Sequence, residues 1–175
     1  MSTRRRGLIG ALMLIAGVVG VISLVIATRG SDGAASLPPD VGVVEWVVDG
    51  DTVDIYIGGR KERVRLIGID TPELHTETGE PECLAAEARE FSASQLPAGT
   101  EVRLERDVVG RDDYGRLLAY VYRRNDDVWI NELVVSAGYA RPLTIAPNDA
   151  HRDRFVAAAH AAEAVGVGLW SACAG

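Results

Sequence analysis

The sequence has no surplus of positive charge where a fold could use it. It carries 18 Lys and Arg against 25 Asp and Glu, and four of the arginines (Arg4, Arg5, Arg6, Arg29) flank an apolar run near the N-terminus. From Gly30 onward, 14 basic residues face 25 acidic ones. Non-specific affinity for nucleic acid rests largely on Lys and Arg neutralising phosphates, so this balance argues against passive electrostatic capture. Any phosphate partner would have to be met by cationic charge concentrated in one place. Cysteine is scarce too. Cys83 and Cys173 form no CxxC pair, and His75, His151 and His160 include no pair at metal-ligand spacing, which argues against a zinc site or a thiol redox motif. The histidines read as surface or helix residues. There is no internal repeat or low-complexity tract, and 175 residues suit one domain plus an appendage.

The appendage is residues 1–28. After Arg4-Arg5-Arg6, the run from Leu8 to Thr28 holds 21 residues without a charge. A secretory h-region is usually about 7 to 15 residues and a membrane-spanning helix about 20, so length favours a retained transmembrane anchor over a cleaved signal peptide. The arginines on its N-terminal side predict that this end stays in the cytoplasm, with the domain on the extracytoplasmic face of the membrane. Residues 29–39, rich in Gly, Ser, Ala and Pro, read as a linker, and residues 40–175 as the folded domain. An oxidising compartment would permit a bridge between Cys83 and Cys173, with two unrelated small core residues as the alternative.

Within the domain, Gly42–Val48 is β-branched and apolar, and Thr52–Ile57 alternates cleanly. Gly58-Gly59 signals a two-residue hairpin turn, and Glu62–Ile69 supplies the return strand. Counting back from the turn pairs Ile57 with Arg60 and Thr52 with Arg65, which brings Arg65 within one step of Asp51. Leu74–Glu82 reads as a polar surface loop, and a helix follows from Cys83 towards Pro97. Glu101–Glu105 is a short strand, 107–115 a charged loop, and Arg116–Tyr122 a buried strand. Val128–Ile130 reads as a brief strand, Asn131–Ala137 as a helix, the stretch through Pro142 and Pro147 as a loop, and Asp149 as the cap of a last helix presenting Phe155, Ala159 and Ala162. Most strands lie too close together for βαβ crossovers. The pattern predicts an α+β, mainly β fold: a five-stranded OB-type barrel with about three helices, preceded by the N-terminal helix.

Three carboxylates and two arginines carry the candidate chemistry. Asp51 and Asp70 are oxygen donors suited to a hard divalent cation, Ca²⁺ or Mg²⁺, together with a backbone carbonyl and waters. Asp49 and Asp54 compete for that role, although Asp54 falls on the strand face opposite Val53 and should point elsewhere. Glu73, three residues beyond Asp70 across a proline, is placed to act as a general base on water. Arg65 and Arg116 offer guanidinium forks for phosphate oxygens. A DGDT string alone is common turn chemistry and decides little.

Taken together, four ordered segments are more specific: DGDT (49–52), RLIGIDTPE (65–73), DYGRLLAYVY (113–122) and NELVVSAGYA (131–140). The chain resembles the staphylococcal nuclease (thermonuclease) family over roughly Val43 to Trp170. The resemblance implies Ca²⁺ held by Asp51, Asp70 and the Thr71 carbonyl, Glu73 as general base, and Arg65 and Arg116 as phosphate clamps. It also implies Tyr114 as a substrate contact, a Cys83–Cys173 disulfide of the kind found in exported relatives, and hydrolysis of DNA and RNA to 3′-phosphate ends by a monomer. The chain departs from the family's basic members at Asp113, where lysine is common, and in the acidic loop with Glu77, Glu80 and Glu82. An OB module that holds nucleic acid without cutting it, or a surface interaction domain, would be the alternative.

Overall fold

The computed structural model describes residues 37–173. The expected anchor at 1–28 and most of the linker therefore lie outside the described residues. Among those described, no helix is long and apolar enough to cross a membrane.

β1 (Val41–Asp49), β2 (Thr52–Ile57) and β3 (Arg60–Leu66) form an antiparallel meander. β3 breaks at Ile67 and continues as the short β4 (Gly68–Asp70). The single strand expected from Glu62 to Ile69 is thus two. Gly68 causes the break: its φ is +83°, and a Cβ there would collide with the ring of Phe155. Helix α1 (Ala85–Gln95) leads into β5 (Glu101–Glu105), followed by β6 (Leu117–Arg123) and β7 (Val128–Trp129). Helix α2 (Ile130–Ser136), β8 (Arg141–Leu143), α3 (Arg152–Val165) and α4 (Leu169–Ala172) complete the domain.

The strands run in the order β3-β2-β1-β5-β6, and a parallel pairing of β3 with β6 closes them into a five-stranded barrel. The OB-type expectation holds, with four helices among the described residues rather than about three. Alternation fills the interior: Val44, Val53, Ile55, Val64, Val102 and Leu117 are all buried on the inward face. Asn131 is a buried polar tie. Its side chain accepts from the Val121 amide at 2.8 Å and donates to the Ile67 carbonyl at 2.9 Å, joining α2 to β6 and to the break after β3.

Two expectations need correction. Asp149 does not cap α3, which starts at Arg152 after His151 with no side-chain cap; the Asp149 carbonyl instead accepts from the Arg152 amide at 3.1 Å. The stretch through Pro142 is not wholly loop either, because β8 pairs with β4 and sets Arg141 opposite Asp70. A proline is tolerated there because this two-stranded sheet gives β8 only one hydrogen-bonded neighbour.

Cys83 and Cys173 are disulfide-bonded, with Cα atoms 5.9 Å apart and 90 residues between them in sequence. The bond ties the segment entering α1 to the end of α4. For a loop of this length, the chain-entropy relation gives on the order of 4 to 5 kcal/mol of stabilisation. Reduction, or Cys83→Ser with Cys173→Ser, is therefore expected to lower the denaturation midpoint by a corresponding amount. Equal midpoints for the reduced and oxidised domain would show that the link adds nothing.

Candidate active site

The turn between β1 and β2 builds the centre of the site. Asp51 lies in it and is only 3% exposed. Its carboxylate accepts from the Thr71 amide at 2.9 Å and from the Thr52 hydroxyl at 3.2 Å, and contacts Arg65 Nη1. Gly50 makes this close packing feasible, because a Cβ at that position would stand 2.7 Å from Thr71 Oγ1. The Gly50 carbonyl also accepts a 2.5 Å hydrogen bond from Ser92 of α1, so the helix holds the turn against the barrel end.

Arg65 lies directly opposite Thr52, in the register that the hairpin turn predicts. Its guanidinium bridges two carboxylates, touching Asp51 and donating from Nη2 to Asp70 Oδ1 at 2.9 Å. The Nη1 atom is buried and makes no well-directed hydrogen bond beyond its ionic contact. Burial raises the Asp70 carboxyl above its usual range; Arg65 opposes the rise, and the charges of Asp51 and Glu82 add to it. Asp54, by contrast, is buried between Arg63 and Lys61, at 2.8 and 3.1 Å, outside this cluster as its strand face predicts.

Glu73 stands beside the same turn. Burial of its carboxyl pushes its pKa up to about 7, reinforced by a shared proton and charge repulsion from Asp49 and by the charge of Asp51. The residue as a whole remains exposed, so it is the carboxyl end, tucked beside the turn and crowded by Asp49 and Asp51, that feels the burial. Its backbone is fixed reciprocally by Glu82: the Glu73 amide donates to Glu82 Oε2 at 2.9 Å, and the Glu82 amide donates to the Glu73 carbonyl at 3.0 Å. Glu82 precedes Cys83, so the disulfide braces the foot of the loop that carries Glu73.

Arg116 arrives just before β6. Because Val64 pairs with Leu117 and Arg65 with Leu118, the barrel closure brings Arg116 alongside the hairpin. Asp112 holds it there: Oδ2 accepts from Arg116 Nε at 2.7 Å, and Oδ1 from the Arg116 amide at 2.8 Å. Tyr114 is 87% exposed, and the Arg116 guanidinium lies 5.5 Å from its ring centre. Glu73, Arg116 and Tyr114 line one open cleft of about 520 Å³, together with Asp49, Thr52 and Arg63. A second cavity of about 360 Å³ contains both Arg65 and Arg116 and is walled by Leu118, Leu143 and Ile145. A further surface cleft, about 820 Å³ around Arg123 and Arg124, holds none of these residues.

All of the expected residues therefore meet at one end of the barrel, in two groups. Asp51, Arg65, Asp70 and Thr71 are in direct contact, while Arg116 and Tyr114 share the lining of one cleft with Glu73. Sequence reasoning missed the parts of Asp112 and Glu82, which hold Arg116 and the backbone of Glu73 in place. For Asp112 a signal existed, since an Asp four residues before an Arg is a pairing distance. Among the described residues, no three His, Cys, Asp or Glu side chains form a ready-made metal cage. The donor set still fits a hard cation, because Asp51 and Asp70 bring two carboxylates to one point, where the Arg65 guanidinium now balances both charges.

Comparison with known proteins places this geometry. The family model described as "Staphylococcal nuclease homologue" matches residues 63–172. The chain belongs to the staphylococcal nuclease family. It is 30% identical over 166 residues to the thermonuclease of Staphylococcus hyicus, covering 93% of this chain and 96% of that protein. It is 37% identical over 128 residues to the thermonuclease of Staphylococcus intermedius, covering 73% and 74%. Endonuclease YncB of Bacillus subtilis is 32% identical over 130 residues, covering 73% and 60%. The nuclease-family match begins at Arg63, so it takes in Arg65, Asp70, Glu73 and Arg116 but not the turn with Asp51.

Proposed function

We propose that the domain is a Ca²⁺-dependent nuclease that hydrolyses DNA, RNA or both to 3′-phosphate ends, as a monomer, outside the cytoplasmic membrane. The enzyme class, a hydrolase cutting phosphodiesters of nucleic acid, comes with the family. The observation that carries the finer reading is the meeting of Asp51 and Asp70 on Arg65 next to the cleft that Glu73 and Arg116 line.

Asp51, Asp70 and the Thr71 carbonyl would hold the cation. Bound there, Ca²⁺ would offset phosphate charge and make water easier to deprotonate. Glu73, as carboxylate, takes the proton from the attacking water as its oxygen bonds to phosphorus. The P–O5′ bond breaks, the 5′ oxygen takes a proton from solvent, and the phosphate remains on the 3′ oxygen. Arg65 and Arg116 hold the non-bridging oxygens, whose charge rises in the transition state. Arg65 is held by carboxylates and Arg116 by Asp112, so each is oriented before substrate arrives.

Location rests on other features. The uncharged run Leu8–Thr28 behind three arginines supports an anchor at 1–28, with 29–39 as linker and 40–175 as the catalytic domain. The Cys83–Cys173 bond supports an oxidising compartment. Free, reactive thiols in protein taken unreduced from cells would contradict that location. For the cation, calorimetric titration with Ca²⁺ should show one site, lost in Asp51→Asn and weakened in Asp70→Asn. Unchanged Ca²⁺ affinity in Asp51→Asn would sink the ligand assignment.

A further inference from the structure

The outer face of the β1–β2–β3 meander carries a second feature that leads away from the cleft. Trp46 pairs with Asp54, and Asp54 with Arg63, so the three share one cross-strand row. Their neighbours Val47 and Val53 are buried, which turns the row outward. Trp46 is 55% exposed, unusual for so large an apolar side chain, and the Arg89 guanidinium lies 4.5 Å from its ring centre. Arg63 and Val48, which also line the active-site cleft, connect the row to it, and Val48 is two residues (roughly 6.6 Å) along the strand from Trp46.

The charge of this strip also differs from that of the domain. Lys61, Arg63 and Arg89 outnumber Asp54 and Glu45, in a chain that is otherwise acidic. The Asp54 carboxylate is consumed by Arg63 and Lys61, whose side chains remain about half exposed.

The geometry points to a stacking subsite at Trp46 and Arg89 for an unpaired base of the nucleic-acid strand whose phosphate occupies the cleft. This rests on the cleft being the site of cleavage. An exposed indole beneath a guanidinium offers a flat surface to any base, independent of sequence. A base-paired duplex hides those faces, so it gains nothing from the strip.

The test uses the full-length chain, Ca²⁺, and three kinds of substrate: single strands (a twelve-residue oligothymidylate and its ribose counterpart), a duplex of the same length, and a dinucleotide. Trp46→Ala is expected to raise KM about tenfold on both single strands at unchanged kcat. It should leave the duplex and the dinucleotide unaffected, and Trp46→Phe should restore most of the affinity. An unchanged KM on the single strands, or an equal loss on all three substrates, overturns the subsite.

A separate binding arm keeps this distinct from the catalytic reading. In Glu73→Gln, the oligothymidylate should quench the indole emission of Trp46, the other tryptophans being more covered. Quenching by a wild-type chain that cuts nothing would support the subsite and sink the hydrolytic reading. Cleavage without quenching would do the reverse.

Discussion

Arg116→Ala is expected to lower kcat for phosphodiester cleavage by about a thousandfold, with the fold intact. Arginines that stabilise phosphoryl or oxyanion charge in a transition state contribute on that order, because the charge they meet is largest at the moment of reaction. Arg116 is well placed for this. It lines the same cleft as Glu73, and its Nε is engaged by Asp112, leaving the two terminal nitrogens available. Desolvation pushes the Asp112 carboxyl up, but the pair with Arg116 and the amides of Arg116 and Tyr114 hold it below the usual carboxylate range. Breaking a partly exposed pair of this kind costs about 1 kcal/mol or less of stability, far too little to account for a thousandfold loss through unfolding. Arg116→Lys should recover little, since an ammonium cannot present two parallel donors. Asp112→Asn should give an intermediate loss, because the clamp survives without its brace. Steady-state kinetics beside a thermal melt separate these outcomes, and an Arg116→Ala protein retaining a tenth of its kcat would remove the residue from the mechanism.

Glu73→Gln has the second large effect, with a signature in pH as well as rate. A positioned general base contributes typically 10²- to 10⁴-fold, and the amide cannot accept the proton. The base acts only when ionised, so the wild-type rate should climb with pH on its acidic limb, and the limb should vanish in Glu73→Gln. Without cation, the Glu73 carboxyl titrates at about 7, above its ordinary 4.5. A carboxyl raised in this way takes up a proton in the folded state more readily than in the unfolded one. Its contribution to stability is therefore fully present below about 4.5 and is lost as pH rises to about 7. Added Ca²⁺ should reverse the penalty, because an opposite charge beside the carboxyls favours their ionised forms and moves the limb to lower pH. Wild type and Glu73→Gln should thus differ in melting temperature above pH 7 without Ca²⁺, the variant being more stable, and converge near pH 4.5. A pH-independent difference between them would contradict the carboxyl crowding around the turn.

Much of the site was legible because it rests on local rules. Gly58-Gly59 fixes a two-residue turn, and the register that follows places Arg65 opposite Thr52 and beside Asp51. Alternation through Val53 and Ile55 sends Asp54 to the other face, where Arg63 and Lys61 neutralise it. The missed parts depend on contacts between segments distant in sequence. β8 exists because β4 offers it an edge, which no reading of Arg141-Pro142-Leu143 alone would suggest. Glu82 matters because its chain returns to Glu73 through a polar loop, and the disulfide pins that return. Asp149 looked like a helix cap by residue type, but the chain starts α3 three residues later, at Arg152. Arg116 could be assigned a role from its motif, yet only the parallel β3–β6 closure explains how a residue about fifty positions beyond Arg65 reaches the same cleft.

The proposed dependence on a cation follows from the acidic composition. Asp49, Asp51, Asp70, Glu73 and Glu82 gather where, on the proposed function, a phosphate would enter, and Arg65 is in direct contact with two of them. Left uncompensated, that charge repels the substrate. The most direct measurement is therefore cleavage of single- and double-stranded DNA and RNA by the wild-type chain, in Ca²⁺ and in excess chelator, with the product ends read by mass spectrometry. The account predicts 3′-phosphate and 5′-hydroxyl ends in Ca²⁺ and intact substrate in chelator. Equal cleavage in chelator, or 5′-phosphate ends, would contradict it.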